Sequence, residues 1–136
     1  MNEVSTFFAP MIYLDTVSPA IEFYKKAFDA IVLRQWNNDD GSVHVAEMSI
    51  NGALFHVHEE VTRINELSPG TLKGTCVAIG LFVSDPHTVM AKAVAAGGIE
   101  IDPVKDYDYD YRQGCLADPF GHHWLIEKRL VDSHLL

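Results

Sequence analysis

Short apolar strands and one amphipathic helix follow each other in the same order twice along the chain. The first copy has a strand at Met11–Leu14, a helix after Ser18-Pro19, a strand at residues 31–36, and a hairpin that turns at Asn51-Gly52. The second copy repeats this order from Ile79. Equivalent prolines and glycines are about 68 residues apart, which is longer than the common solenoid repeats. The pattern therefore predicts two similar βαβββ modules.

The two modules are predicted to form one α+β domain over residues 8–129. Module one covers 8–60, a linker without clear periodicity covers 61–75, and module two covers 76–129. With 136 residues, of which 48% are hydrophobic, the chain can fill one core but is short for two independent domains. Because each module leaves one sheet face open, we also expect a homodimer.

Two helix starts are marked by a polar residue before a proline. In this order the polar side chain of Ser18 or Asp85 caps free N–H groups, and proline takes the first helical position. One glycine of Gly97-Gly98 is expected to end the second helix in the left-handed conformation. The predicted buried faces are Ile21, Phe23, Tyr24, Ala27 and Phe28 in the first helix and Val89, Met90, Ala93 and Ala96 in the second.

The turn at Asn51-Gly52 sets the register of the hairpin in module one. Asn-Gly favours a two-residue type I′ turn, which places Glu47 directly opposite His56. The hairpin face predicted to lie under the helix comprises His44, Ala46, Met48, Ile50, Phe55 and Val57. The open face comprises Val45, Glu47, Ser49, Leu54, His56 and His58.

In module two, the Asp-Pro-Phe-Gly sequence at 118–121 favours a type I turn with Gly121 in a bulge. This register leaves an open face of Tyr111, Gln113, Cys115, His123, Leu125 and Glu127, with Leu116, Trp124 and Ile126 under the helix. Without the bulge, Arg112 and Gly114 would replace Gln113 and Cys115 on the open face. His122 is interpreted as a residue that stabilises the turn.

The charge and composition of the chain limit the kinds of partner that it can bind. Ten Lys and Arg against nineteen Asp and Glu give a net charge of −9, which repels nucleic-acid phosphates. Cys76 and Cys115 lack the spacing of paired cysteines and fit a reducing compartment. The chain shows no basic leader and no long apolar run. We therefore expect a cytoplasmic protein without nucleic-acid or membrane partners.

Four segments of the chain, at residues 10–14, 20–28, 46–48 and 118–124, form a recognisable set. Together they resemble the vicinal oxygen chelate superfamily, and they are most similar to its PhnB-like branch of glyoxalase and bleomycin-resistance proteins. The resemblance implies paired modules whose strands curl around a cavity, usually completed in a homodimer. Members include lyases, isomerases, dioxygenases, thiol transferases and metal-free proteins that sequester antibiotics, so the fold does not set the function.

The resemblance also implies where a metal would be bound, on the first and last strand of each module. The corresponding residues are Ala9, His56, Ala78 and Leu125. Only His56 can ligate a metal, whereas a catalytic metal needs about three protein ligands. We therefore expect no metal cofactor. The alternative is a nonstandard divalent-metal site at Glu47, His56 and His58, because histidines two residues apart on a strand share one face.

Glu47 and His56 are the candidate catalytic residues, since an opposed carboxylate and imidazole can exchange protons with a ligand. The candidate ligand-binding residues are Met11, Tyr13, His58, Tyr111, Gln113, Cys115 and His123. Cys115 has no evident charged partner to activate its thiol. Tyrosines alternate with aspartates at 106–111, where they either line the rim of a cavity or form a solvated acidic loop.

These residues predict a small-molecule-binding protein of the glyoxalase/bleomycin-resistance type that lacks the family metal site. The alternative is an enzyme of the lyase, isomerase or dioxygenase type. Such an enzyme would use Glu47 and His56 for acid–base chemistry or the nonstandard metal site.

Overall fold

The computed structural model describes residues 5–131, which form two similar modules in sequence. Module one contains β1 (Met11–Leu14), α1 (Val17–Phe28), β2 (Ile31–Asn37), β3 (Val43–Ile50) and β4 (Ala53–Glu59). The connecting segment contains a 3₁₀ turn (Thr62–Ile64) and the short helix α2 (Pro69–Leu72). Module two contains β5 (Ala78–Phe82), α3 (Pro86–Ala95), β6 (Ile99–Tyr107), β7 (Tyr111–Ala117) and β8 (His123–Arg129).

Each module forms its own four-stranded sheet with the same strand order. The orders are β1-β4-β3-β2 and β5-β8-β7-β6, so the first strand of each module lies at an edge and runs parallel to the last. The predicted α+β fold of two βαβββ modules is confirmed. Both sheets are open rather than closed barrels. Within residues 5–131, no helix is long and apolar enough to span a membrane.

The predicted start of the first helix is wrong by two residues. The helix begins at Val17, with Thr16 as an extended N-cap whose side chain makes no capping hydrogen bond, so Ser18 lies inside the first turn. Proline is tolerated throughout a first turn, because those N–H groups have no intrahelical partner. The second start is correct, since the Asp85 side chain accepts a hydrogen bond from the Thr88 N–H. Gly97, with φ 120°, ends that helix as expected.

One hydrophobic core joins the two modules. The Trp124 ring on β8 lies 4.9 Å from that of Phe28 on α1 and 5.9 Å from that of Phe55 on β4. The predicted apolar face of the first helix is buried, and so are the predicted core positions of its hairpin except His44. In α3, Met90 and Ala93 are buried, whereas Val89 and the C-cap residue Ala96 are only partly buried. The inner faces of both sheets therefore adjoin the same core, and their open faces turn away from it.

The turn between β7 and β8 links module two to module one. The His122 backbone N–H donates to Asp118 within the turn, and its imidazole Nε2 lies 2.8 Å from the Tyr13 carbonyl oxygen on β1. Because a carbonyl only accepts, the imidazole N–H donates this hydrogen bond. His122 thus stabilises the turn through its backbone and connects the modules through its side chain.

Candidate functional site

The type I′ turn predicted for module one is present and sets the hairpin register. Asn51 and Gly52 both have positive φ, at 48° and 91°, as this turn requires. Glu47 pairs directly with His56 across β3 and β4. The register thus brings the two candidate catalytic side chains together on the open face.

Four side chains form a row across the open face of sheet one. Met11, His56, Glu47 and Arg34 are successive cross-strand partners on β1, β4, β3 and β2. Glu47 Oε2 lies 3.5 Å from His56 Nε2, and Glu47 Oε1 lies 3.9 Å from Arg34 Nε. The Glu47 and His56 side chains are 23% and 24% exposed. A half-buried carboxylate therefore lies between an imidazole and a guanidinium.

Arg34 was not predicted as part of this row, because the pairing of β2 with β3 is irregular. The register shifts between Val32 and Arg34, so Leu33 is an extra residue in the strand. The Arg34 guanidinium also lies 4.5 Å from the centre of the Trp36 ring. The sequence does show a positively charged residue in β2, the strand next to Glu47, and this is a signal for an ion pair. The position of the bulge, however, decides which face of the sheet Arg34 lies on.

His58 and Tyr13 form a second row that is separate from the Glu47–His56 pair. His58 Nδ1 lies 2.6 Å from the Glu59 carbonyl oxygen, and its ring contacts the rings of Tyr13 and His44. The Tyr13 hydroxyl donates to Glu66 in the connecting segment. This hydrogen bond, with burial and the Glu66 charge, raises the pKa of Tyr13 to about 12. The Tyr13 phenol is therefore neutral at physiological pH.

A cleft of about 530 Å³ lies beside this second row. Its lining residues include Tyr13, Asn38, His44, His58, Glu59 and Arg63. Asn38 and His44 both hydrogen-bond Glu59, and these bonds lower the pKa of that carboxyl group. The volume is within the range of small-ligand sites.

The predicted bulge register of module two is present, and the alternative with Arg112 and Gly114 on the open face is excluded. Gly114 faces the core, where an added Cβ would lie 2.8 Å from atoms of Met90 and Val104. Cys115 pairs with Leu125 on the open face. The turn has Gly121 at φ 93° and a hydrogen bond from the Gly121 N–H to the Asp118 carbonyl oxygen.

On this second open face, Gln113 and Glu127 form a hydrogen-bonded pair. Gln113 Nε2 donates to Glu127 Oε1 over 2.6 Å, and Tyr109 donates to Gln113 Oε1 over 2.8 Å. The Tyr109 ring lies between those of Tyr107 and Tyr111, so the three tyrosines form one aromatic cluster. The sequence pattern places Glu127 on the open face, but no local motif marks it as a site residue.

The other predicted residues of module two contribute less. Burial, together with the nearby Asp102 carboxylate, raises the pKa of the Cys115 thiol, which disfavours its nucleophilic thiolate form. His123 is partly buried at the start of β8 and pairs with Ala78 and Ala117. Neither neighbour offers a polar side chain to His123.

The donor set does not fit the metal centre that the resemblance implies. Ala9, Ala78 and Leu125 occupy the expected positions without a ligating atom, and His56 alone can bind. In the part of the chain that the structure describes, no three His, Cys, Asp or Glu side chains are grouped to hold a metal ion. Glu47 lies beside His56, whereas His58 Nδ1 lies 2.6 Å from the Glu59 carbonyl oxygen. The nonstandard site at Glu47, His56 and His58 stays a prediction.

The predicted site residues are thus divided between two sheets. Met11, Glu47 and His56 lie on the open face of sheet one, whereas Gln113 and Cys115 lie on that of sheet two. Because both inner faces adjoin one core, these open faces point outward from a single chain.

Comparisons with known proteins agree with this architecture. The model of the Glyoxalase/Bleomycin resistance protein/Dioxygenase superfamily matches residues 7–126. An uncharacterized protein of Mycobacterium bovis is 35% identical over 121 residues, which cover 87% of this chain and 80% of the relative. The X-ray structure of an Arabidopsis thaliana gene product is 28% identical with a TM-score of 0.71, covering 93% of this chain and 99% of that chain. TioX from Micromonospora sp. ML1 is 20% identical with a TM-score of 0.73, covering 92% and 100%, and shares the fold.

Proposed function

Because this chain belongs to the Glyoxalase/Bleomycin resistance protein/Dioxygenase superfamily, we propose that it binds a small organic molecule against its open sheet faces without the family's metal centre. The observation that carries this proposal is the row in which Glu47 lies between His56 and Arg34. The row supplies an oxygen acceptor and two nitrogen groups on one surface. These are the polar groups that orient a ligand in a largely apolar site.

The absence of suitable donors at three of the four family metal positions supports binding without a metal. Without a metal, recognition depends on hydrogen bonds and apolar contacts. Both are available beside Glu47, where Met11 is 45% exposed and Trp36 is 40% exposed.

The binding cavity is proposed to be completed by a second copy of the chain. Each open face exposes large apolar side chains, which are Met11, Ile31 and Trp36 on sheet one and Phe82 and Ile99 on sheet two. Burying such side chains against a partner is favourable by roughly 25 cal/mol per Å² of apolar surface. A dimer that covers these faces would enclose the two groups of polar residues that a single chain leaves apart.

A fragment screen with residue-resolved NMR tests this proposal. Neutral, cationic and anionic aromatic fragments are added to ¹⁵N-labelled protein, and amide shifts are mapped on the structure. We expect shifts at residues 45–47 and 54–58, and at 113–115 and 125–127. Fragments that shift only helix or loop amides, or none at all, would contradict binding at the open faces.

A second candidate function, acid–base catalysis on a carbonyl compound, is favoured by the 3.5 Å approach of Glu47 Oε2 to His56 Nε2. Such a pair can remove a proton next to a carbonyl group and return it. Incubating carbonyl-containing fragment hits in D₂O and measuring deuterium uptake by mass spectrometry separates the two functions. Catalysis predicts uptake that His56→Phe abolishes, while simple binding predicts uptake no faster than without protein.

A further inference from the structure

We infer that Glu127 forms a subsite for a cationic nitrogen group, such as a primary ammonium attached to an aromatic ring. The inference rests on the proposed function and specifies the class of ligand at the open face of module two. Glu127 lies on that face, yet it is only 5% exposed. A buried carboxylate is costly unless it is paired.

One oxygen of Glu127 is held by the protein. Gln113 Nε2 donates to Oε1, and the Tyr109 hydroxyl donates to Gln113 Oε1. Because the phenol donates to the amide oxygen, the amide nitrogen of Gln113 is fixed toward the carboxylate. These two successive hydrogen bonds hold the Glu127 carboxylate in one orientation, whereas the carboxylate of an ordinary surface glutamate is free to rotate.

The other carboxylate oxygen of Glu127, Oε2, lies next to Gly80, which has no side chain. An added Cβ at Gly80 on β5 would lie 2.5 Å from Glu127 Oε2. Among residues 5–131, no hydrogen bond to Oε2 and no ion pair of Glu127 is present. A carboxylate has about four acceptor positions, so most of its capacity remains for an N–H donor from a ligand.

Phe82 is the cross-strand neighbour of Glu127, and two aromatic rings in this part of sheet two already contact cations of the chain. The rings of Phe82 and Tyr111 lie edge to face, and their centres are 6.1 Å apart. The Arg129 guanidinium is 5.4 Å from the centre of the Phe82 ring, and Lys105 Nζ is 5.1 Å from that of Tyr107. Phe82 is 52% exposed, so a ligand can reach its ring. A carboxylate beside an exposed aromatic ring is suited to a nitrogen cation, and the net charge of −9 attracts such ligands.

Three probes of similar size test the charge preference: benzylammonium, benzyl alcohol and phenylacetate. Their dissociation constants are measured by NMR titration of labelled protein, using the amide signals of Gly80 and Gln113. We expect benzylammonium to bind at least about tenfold more tightly than benzyl alcohol, and phenylacetate to bind most weakly. Glu127→Gln should remove this preference, while Glu22→Gln, which makes the same charge change on exposed helix α1, should keep it.

Gly80→Ala tests the geometry while the charge stays in place. Gly80 has no positive φ, and the close contacts of the new methyl group would be with the flexible end of Glu127, so the variant should fold. We expect it to displace the carboxylate and to weaken benzylammonium binding about as much as Glu127→Gln does. Unchanged benzylammonium binding in both variants would overturn the subsite.

The three probes also distinguish a failure of the cation subsite from a failure of the proposed function. If all three probes bind with equal affinity, or only near Glu47 and His56, the cation subsite is wrong and small-molecule binding stands. If no probe binds either open face of the wild type, and the wider fragment screen also fails, both are wrong.

Discussion

Tyr24 on helix α1 donates its phenolic hydrogen to Asp118, which follows it by 94 positions and belongs to the other module. Asp118 is 2% exposed and also accepts hydrogen bonds from the Trp124 indole and from two backbone N–H groups of its turn. Burial, followed by the charge and hydrogen bond of Asp118, raises the pKa of Tyr24 well above its usual value. The Tyr24–Asp118 bond is therefore a buried polar link between modules inside the shared core.

Removing this link should destabilise the whole domain. Tyr24→Phe deletes the hydroxyl and leaves the buried Asp118 carboxylate with one donor fewer, so we expect a loss of about 1–3 kcal/mol in the free energy of unfolding. Denaturant titration, monitored by tryptophan fluorescence, measures this loss in the free energy of unfolding. Tyr107→Phe, which removes a hydroxyl outside the hydrophobic core, is the matched control and should change stability by less than about 1 kcal/mol. Equal stabilities of the two variants would contradict the role assigned to Tyr24.

The two cysteines should differ in reactivity. Cys76 is exposed, whereas Cys115 is partly buried and its thiol pKa is raised by burial and by Asp102. A raised pKa leaves less thiolate at a given pH, so alkylation of Cys115 should reach half its maximal rate at a higher pH than free cysteine. Iodoacetamide labelling of Cys76→Ser and Cys115→Ser isolates each thiol. Fast labelling of Cys115 near neutral pH would instead indicate an activated nucleophile.

The exposed apolar side chains of both sheets predict a homodimer in solution. Ile99 is 63% exposed on the open face of sheet two, and Ile31 is 57% exposed on that of sheet one. Light scattering should give twice the 15.2 kDa chain mass across micromolar concentrations. A monomer mass throughout that range would count against a cavity shared between two chains.

The donor set at the family metal positions predicts that the purified protein carries no stoichiometric divalent metal. Elemental analysis after dialysis measures this directly. A value near one metal per chain that disappears in His56→Ala would show that His56 is a ligand and that the metal-free proposal is wrong.

The sequence predicted the geometry of module one where local turn chemistry sets it. Asn51-Gly52 has only a few favourable hairpin conformations, so the opposition of Glu47 and His56 followed from two residues. The start of helix α1 was misplaced, because proline fits any position of a first turn and Pro19 therefore does not mark one residue.

The rest of the site depends on tertiary features that local patterns do not encode. Arg34 joins the row only because a bulge at Leu33 turns it to the open face. The burial of Glu127 depends on Gly80 in another strand, and the link from Tyr24 to Asp118 depends on how the modules pack. Charge and hydrophobic periodicity identify such residues as polar or apolar, but not which distant residues they meet.

Binding of a small organic molecule at the row that contains Glu47 and His56 can be measured directly. The decisive quantity is the dissociation constant of the tightest fragment hit for wild type, Glu47→Gln and the exposed control Glu22→Gln. Hydrogen bonds to charged groups contribute about 1.5–3 kcal/mol, so Glu47→Gln should weaken binding by about tenfold or more. Glu22→Gln should bind as wild type does. Equal dissociation constants for all three proteins would show that the Glu47–His56 row is not the binding site.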